Sequence, residues 1–201
     1  MRRARGLPSE KTDADRLVHG EGDFLPGLVI DVYGPTAVMQ AHSPGMHFQR
    51  NVIAQALAAQ PGLGVKNVYY KSDTTLPYKA ELDPCNEYIL GQYSGDTATE
   101  NGLRFRIDWL KGQKTGFFID QRDNRALLRS LSRDKRVLNM FCYTGGFSVY
   151  ALDGGAREVC SVDSSAKAIS LTDANVALNF GDATAGVRHS SSAEDAFRYL
   201  E

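Results

Sequence analysis

The sequence predicts an α/β protein in two parts: a small α+β domain over residues 1–110, and then the start of a doubly wound parallel sheet over residues 111–201. In the first half, short apolar segments are separated by turn residues such as Gly34-Pro35. After Gly116, helical and strand patterns alternate. Alternation of this kind places parallel strands side by side, with crossover helices between them.

The α+β part is predicted from strand-like segments and one helix. The strand-like segments are residues 28–33, 36–41, 66–71, 87–93 and 104–109. The helix is predicted over residues 48–59, where alanines and larger apolar residues recur at helical spacing, and it stops before a Pro-Gly pair. Asn101-Gly102 is a good signal for a hairpin turn between residues 93–99 and 103–109.

The second part is predicted from three helices and three strands. The helices cover residues 121–130, 146–152 and 166–179, and the strands cover residues 136–141, 158–162 and 185–189. A complete doubly wound sheet has five or more strands. We therefore expect the Rossmann-like unit to be incomplete within these 201 residues.

Composition narrows the class of protein. A hydrophobic fraction of 42% is enough for a normal core, and no apolar run approaches the roughly 18 residues that span a bilayer. The N-terminus lacks the apolar run of a signal peptide, so a cytoplasmic location is expected. Cys85, Cys142 and Cys160 are too far apart for a metal knuckle and are interpreted as reduced thiols. The histidines show no HxxH spacing, so no metal site is expected.

The net charge of −1 hides an uneven distribution of charge along the chain. Residues 101–136, which we call the basic island, hold ten Lys or Arg residues against four Asp residues. Two interpretations of the basic island stay open: a solvated helix face plus a hairpin, or a surface that contacts phosphates. Charge alone does not decide between them.

The most informative segment is a strand that runs into a turn of small residues and then a helix, at residues 137–148. Glycine in such a turn permits close approach of the backbone to a ligand. The alternative is an ordinary α/β turn without a ligand, which can have the same sequence pattern. Asp163 ends the next strand, one crossover later, which places its carboxylate beside the turn. A carboxylate there can accept hydrogen bonds from both ribose hydroxyls of an adenosine-containing ligand. The alternative role for Asp163 is to cap the helix that begins near Ala166.

These segments carry a resemblance to a known family. LNMFCYTGGFSVYAL (residues 138–152) and VCSVDSSAKAI (residues 159–169) resemble motifs I and II of class I S-adenosylmethionine methyltransferases. GEGDFLPGLVIDVYG (residues 20–34) and ENGLRFRIDWLKGQKTGFFIDQRDNRALL (residues 100–128) resemble the bacterial large-subunit rRNA cytosine-C5 methyltransferases that carry a PUA domain. The resemblance covers essentially the whole chain. It implies a PUA domain, a central α+β domain and a Rossmann-like catalytic domain, of which this chain holds the second and the start of the third.

The resemblance implies a site for S-adenosyl-L-methionine. Phe141, Tyr143, Thr144 and Gly145 would line the turn under the methionine part of the cofactor, and Asp163 would hold its ribose. Generic methyltransferases have glycines where this chain has Phe141 and Tyr143, and this departure is itself typical of the family.

Two further segments complete the implied site. Asp195 would accept a hydrogen bond from the exocyclic amine of adenine, and the amide of Ala196 would donate to a ring nitrogen. Phe118, Asp120 and Arg122 would close the pocket from the other side. The guanidinium of Arg122 suits a carboxylate, either that of Asp120 or that of the cofactor, and a structural ion pair between the two domains is the alternative.

The resemblance also implies the chemistry. Such enzymes add a cysteine thiolate to cytosine C6, which makes C5 nucleophilic enough to take the methyl group. The family's nucleophile and its Asp-Pro-Pro loop correspond to positions beyond Glu201, and none of the three cysteines matches the catalytic one. We therefore assign no catalytic residue, and we expect these 201 residues to bind the cofactor at most weakly and to be inactive alone.

The expected partner is 23S rRNA, with no membrane or metal and with a homodimer as a further expectation. Arg125, Arg129 and Arg133 recur at i, i+4 and i+8, and we predict that they form an exposed stripe that contacts RNA. The competing interpretation pairs them with Asp123 and the acidic C-terminal half. Two other readings stay open: a non-catalytic RNA- or ribosome-binding module with a vestigial pocket, and a methyltransferase that acts on guanine or on protein side chains.

Overall fold

The computed structural model describes residues 6, 8–77, 82–83, 85–181 and 188–201. The chain divides into two compact units. Unit 1 contains the residues up to Gly102 together with Ile107–Ile119, and unit 2 contains Leu103–Arg106 together with Asp120–Glu201.

Unit 1 is built on a five-stranded mixed sheet with the strand order β1-β2-β3-β4-β5. The strands are β1 (Ala14–His19), β2 (Leu28–Tyr33), β3 (Thr36–Ala41), β4 (Asn67–Lys71) and β5 (Asn86–Leu90). Only the pair β3 and β4 is parallel among these strands, and helices α1 (Pro44–Phe48) and α2 (Arg50–Ala59) make the crossover between them. Apolar side chains of β2, β3 and β4 pack with Ala54 and Leu57 of α2 to form the core.

A buried carboxylate ties residues 107–119 to the sheet of unit 1. Asp31, which is fully buried on β2, accepts hydrogen bonds from Arg16 at 2.8 and 2.9 Å and from the Thr115 hydroxyl at 2.5 Å. A buried charge is tolerated only when it is paired and hydrogen-bonded in this way. The predicted domain boundary at residue 110 therefore needs correction, because the segment after it packs in unit 1.

Unit 2 contains the parallel sheet, with the strand order β10-β9-β8. Its elements are α3 (Arg122–Leu131), β8 (Arg136–Met140), α4 (Gly146–Asp153), β9 (Glu158–Asp163), α5 (Ala166–Phe180), β10 (His189–Ala193) and α6 (Ala196–Tyr199). Both strand pairs are parallel, which confirms the predicted opening of a doubly wound sheet. Residues 103–106 belong here because Phe105 stacks on Tyr150 and Asn175 accepts a hydrogen bond from the Arg106 amide.

The hairpin at Asn101-Gly102 joins β6 (Thr97–Glu100) to β7 (Leu103–Arg106). Both turn residues have positive φ, 52° and 85°, as a type I′ hairpin turn requires. The strand after the turn ends at Arg106 and does not continue to residue 109, because the Gly112 amide turns back to the Asp108 carbonyl.

Other elements differ from the sequence prediction. The helix predicted over residues 48–59 is confirmed as α2, which begins at Arg50, whereas strand β1 and the short helix α1 were not predicted. The predicted strand over residues 185–189 lies mostly outside the described residues, and the strand found there is β10. Its sequence, HSSSA, has no apolar pattern, and its strand conformation comes from pairing with β9. Among the helices of the described residues, none is long and apolar enough to cross a bilayer.

Candidate cofactor site

The site lies at the carboxyl ends of the three parallel strands of unit 2. Strand β8 runs into the turn 141–145, β9 ends at Asp163, and β10 is followed by Asp195. The register pairs Met140 with Val162 and Ala193 with Asp163, so the three strands end side by side. In open parallel sheets, this edge is where ligands bind.

The turn 141–145 has an unusual backbone. Phe141, Tyr143 and Gly145 have φ values of 57°, 48° and 74°. Residues other than glycine in this region cost about 1–3 kcal/mol each and persist only where the surrounding structure holds them. At Gly145 a side chain has no room, because a Cβ there would lie 2.6 Å from Cγ2 of Thr172. The turn is therefore held in a strained conformation, with Gly145 packed closely against Thr172 of α5.

Helix α5 holds the turn through two buried side chains. The hydroxyl of Thr172 donates to the Tyr143 carbonyl at 2.9 Å, and the Nδ2 of Asn175 donates to the Thr144 carbonyl at 2.8 Å. Neither residue was found from the sequence. The available signal is a Thr and an Asn three residues apart, which share one face of a helix. They are completely buried, and they fix the carbonyls so that the strained turn keeps its shape.

Asp163 is fixed by two backbone amides. Its Oδ2 accepts from the Tyr143 amide at 2.9 Å, and its Oδ1 accepts from the Ser165 amide at 2.9 Å. A carboxylate has about four lone-pair positions, so each oxygen keeps capacity for one more donor, such as a ribose hydroxyl. The alternative role of Asp163 as the cap of α5 is wrong, because the N-cap is Ser165, whose hydroxyl accepts from the Ala168 amide.

Asp195 and Ala196 follow β10 beside Asp163. The Glu194 amide donates to the Asp163 carbonyl at 3.0 Å, which joins the two strand ends. Asp195 is the N-cap of α6, and its Oδ1 accepts from the Phe197 and Arg198 amides at 2.9 and 3.3 Å. Capping occupies Oδ1, and Oδ2 of the same carboxylate offers acceptor capacity for an amine.

The third predicted segment falls at the division between the units. Phe118 belongs to unit 1, whereas Asp120 and Arg122 belong to unit 2. The Asp120 carboxylate is exposed and accepts from the side-chain amide of Gln121 at 2.9 Å, and Arg122 begins α3. Their contribution to the pocket stays a prediction.

Cys85 and Cys142 are not activated as nucleophiles. Burial is the largest cause that raises the pKa of Cys142 to about 11, so its thiol is protonated at neutral pH. Burial and the hydrogen bond to Glu87 also raise the pKa of Cys85. Within the described residues, no group of three His, Cys, Asp or Glu side chains is arranged to hold a metal ion.

The arginine stripe needs correction. Arg125 is only 2% exposed, and its guanidinium lies over the ring of Tyr150, 5.9 Å from the centroid. Arg129 forms a salt bridge with Asp153 at 2.5 Å, and Arg133 lies beyond the end of α3 at Leu131. The regular spacing identified one face of the helix, and that face packs inward at Arg125. These residues therefore do not form an exposed stripe.

The parallel sheet, the strained turn after β8 and the acid at the end of β9 define the class of protein: an α/β domain with a methyltransferase fold. Residues 63–192 match the family described as S-adenosylmethionine-dependent methyltransferase. The chain belongs to this family.

Two curated relatives share the name Ribosomal RNA large subunit methyltransferase I. The protein from Tolumonas auensis is 40% identical over 190 residues, which cover 93% of this chain and 47% of the relative. The protein from Aeromonas hydrophila is 42% identical over 191 residues, which cover 92% of this chain and 46% of the relative. The chain thus spans about half the length of the curated relatives it matches.

Solved structures agree with the fold. A putative SAM-dependent methyltransferase from Streptococcus mutans matches with a TM-score of 0.82 at 28% identity, over 99% of this chain and 50% of that chain. A second structure, described as a putative methyltransferase complexed with SAH, also has a TM-score of 0.82, at 27% identity, and covers the same shares.

Proposed function

We propose that unit 2 binds S-adenosylmethionine at the ends of β8, β9 and β10. The observation that carries this proposal is the fixed carboxylate of Asp163, which is held by the Tyr143 amide on one side and by the Ser165 amide on the other. A carboxylate that is fixed in this way can accept two ribose hydroxyls without further ordering. When bound, the cofactor supplies an electrophilic methyl group.

The other residues of the site would orient the cofactor. Phe141, Tyr143, Thr144 and Gly145 would lie under its methionine part, near the first turn of α4, whose amides have no partner within the helix. Asp195 and Ala196 would contact the adenine. Asp120 and Arg122 of unit 2 are also assigned to the pocket. The free acceptor capacity of Asp163 and Asp195 supports the ribose and adenine contacts.

We further propose that the protein acts on large-subunit rRNA and that the methylated atom is C5 of a cytosine. The names of the relatives support the first part, and the resemblance of residues 20–34 and 100–128 to the cytosine-C5 family supports the second. Burial raises the pKa of Cys142 to about 11 and also raises the pKa of Cys85, so neither of these two thiols is activated as a thiolate. We expect the 201-residue chain to bind cofactor without methylating RNA. A homodimer stays a prediction.

Calorimetric titration with S-adenosylhomocysteine tests the cofactor site. Asp163→Asn keeps the shape of the side chain but replaces an acceptor oxygen with a donor, which leaves a ribose hydroxyl unpaired at a cost of about 1–3 kcal/mol. We expect the affinity to fall roughly 5- to 150-fold. Asp134→Asn is the matched control, because Asp134 is exposed and has a φ of 60° that asparagine tolerates. Equal affinity for wild type and Asp163→Asn would remove Asp163 from the site.

The substrate is tested by mass analysis of 23S rRNA from a strain that lacks the gene. We expect the 23S rRNA of this strain to lack one 5-methylcytidine that is present in the wild-type strain. If every 5-methylcytidine remains while another methylated nucleotide is lost, the target is a different base.

A further inference from the structure

Within the basic island, the structure distinguishes arginines that are buried or paired with a carboxylate in unit 2 from lysines that are exposed in unit 1. Arg125 is buried over Tyr150, and Arg129 pairs with Asp153. By contrast, Lys111 and Lys114 are exposed, and neither forms a salt bridge within the part of the chain that the structure describes. The Lys114 ammonium lies 5.9 Å from the centroid of the Phe118 ring, a contact that leaves its charge in place. Charge that is not neutralised internally is what a phosphate can use.

The two lysines lie on the loop 108–114, which the unit holds rigidly. The buried ammonium of Lys71 donates to the Gly112 carbonyl at 2.5 Å. Asp108 closes the loop twice, since its carboxylate accepts from the Lys111 amide at 2.9 Å and its carbonyl accepts from the Gly112 amide at 2.8 Å. Lys114 has a φ of 48°, a backbone conformation that is energetically unfavourable for residues other than glycine. The loop is therefore ordered before any ligand arrives, and this lowers the entropic cost of binding.

An exposed aromatic ring packs against the same loop. Tyr93 is 51% exposed, and its ring centroid lies 6.2 Å from that of Trp109, which is buried. Trp109 is fixed in turn, because its indole donates to the Tyr88 hydroxyl at 2.9 Å and its ring stacks on Tyr33. An aromatic ring that packs against a loop carrying exposed lysines is a combination that binds single-stranded nucleic acids, through base stacking and phosphate contacts.

We propose that Tyr93 and the loop 108–114 form a binding site for single-stranded RNA, in which Lys111 and Lys114 contact phosphates and Tyr93 stacks on a base. This inference rests on the RNA substrate of the proposed function and assigns its contact to unit 1. A duplex presents phosphates to the lysines but offers no base face to Tyr93. The site therefore favours unpaired nucleotides.

Fluorescence anisotropy with a labelled 12-nucleotide single-stranded RNA, and with its blunt duplex, tests the proposal across a salt series. For the single strand, the double variant Lys111→Gln/Lys114→Gln should reduce the magnitude of the slope of log affinity against log salt by about 1.4. This value is about 0.7 for each of the two lost phosphate contacts. Tyr93→Ala should weaken single-strand binding roughly 5- to 100-fold and leave duplex binding unchanged, and Tyr93→Phe should bind like wild type. The matched control is Lys11→Gln with Lys66→Gln, which removes two exposed lysines from the same unit.

Three results would overturn the proposal. One is an unchanged slope for the Lys111 and Lys114 double variant, and another is an equal loss of slope for the control pair, which would indicate diffuse attraction. The third is the absence of RNA binding by the wild-type chain. Calorimetry with S-adenosylhomocysteine on the same preparation separates failure of this inference from failure of the proposed function. If S-adenosylhomocysteine binds but the loop variants do not change RNA binding, only the RNA site on the loop is refuted. If neither S-adenosylhomocysteine nor RNA binds, the proposed function is refuted as well.

Discussion

Substitution of Gly145 tests whether the strained turn is held as tightly as its contacts indicate. An alanine there would keep a φ of 74°, which costs about 1–2 kcal/mol. Its Cβ would lie 2.6 Å from Cγ2 and 3.0 Å from Oγ1 of Thr172. Overpacking of this kind typically costs a further 1–3 kcal/mol or so. We expect Gly145→Ala to lower the free energy of unfolding by about 2–5 kcal/mol, measured by urea denaturation and far-UV circular dichroism.

Gly155→Ala is the matched control for backbone strain. Gly155 follows α4 with a φ of 86°, and the bonds from the Gly155 amide to the Leu152 carbonyl and from the Ala156 amide to the Ala151 carbonyl place it at the left-handed position of a Schellman motif. A Cβ built there would meet its nearest heavy atom at 3.8 Å, an ordinary contact, so only the backbone cost of about 1–2 kcal/mol should appear. Thr172→Ser removes Cγ2, the atom nearest to the added Cβ, and should recover part of the loss in the Gly145→Ala background. If Gly145→Ala and Gly155→Ala destabilise the chain equally, Thr172 moves aside without cost and the turn is not tightly held.

Two further predictions concern titratable groups in unit 2. Burial raises the pKa of the Cys142 thiol from 9.0 to about 11, so at pH 8 it should hold about 100-fold less thiolate than an ordinary thiol. Cys142 should therefore react slowly with iodoacetamide, as measured by peptide mapping with mass spectrometry. Rapid labelling of Cys142 would contradict its burial. The His189 ring shares a hydrogen bond with the Ser161 hydroxyl at 2.9 Å, and burial lowers the pKa of this histidine. As the pH falls, His189 is therefore protonated in the unfolded chain before it is protonated in the folded chain. The stability that neutral His189 contributes should be complete above about pH 6.5 and should be lost as the pH falls from there towards the pKa of the folded state. In urea denaturation, His189→Gln should flatten this decline of the free energy of unfolding. Parallel pH profiles for wild type and His189→Gln would refute the prediction.

Much of the fold is encoded locally and could be read from the sequence. Strands β2 and β3 were predicted with the bounds that the structure has, because two apolar segments flank the Gly34-Pro35 turn. The turn after β8 and the acid at the end of β9 were found for the same reason, since the turn directly follows an apolar strand and the acid ends one. Their side-by-side position then follows from the parallel crossover.

The features that were missed depend on distant partners. Strand β1 includes Arg16, a poor strand signal, and the strand conformation is supported by pairing with β2 and by the ion pair with Asp31. The spacing of the α3 arginines shows that they share a face but does not show what covers that face. Tyr150 of α4 covers it at Arg125. Likewise, the role of Thr172 in holding the turn depends on a carbonyl 29 positions away.

A crystal structure of the chain with S-adenosylhomocysteine would show whether the ends of β8, β9 and β10 bind the cofactor. We expect both ribose hydroxyls to lie within about 2.5–3.0 Å of the Asp163 carboxylate and the adenine to lie beside Asp195 and Ala196. Ligand density elsewhere, or a ribose that makes no hydrogen bond to Asp163 at saturating ligand, would contradict the assignment of the site.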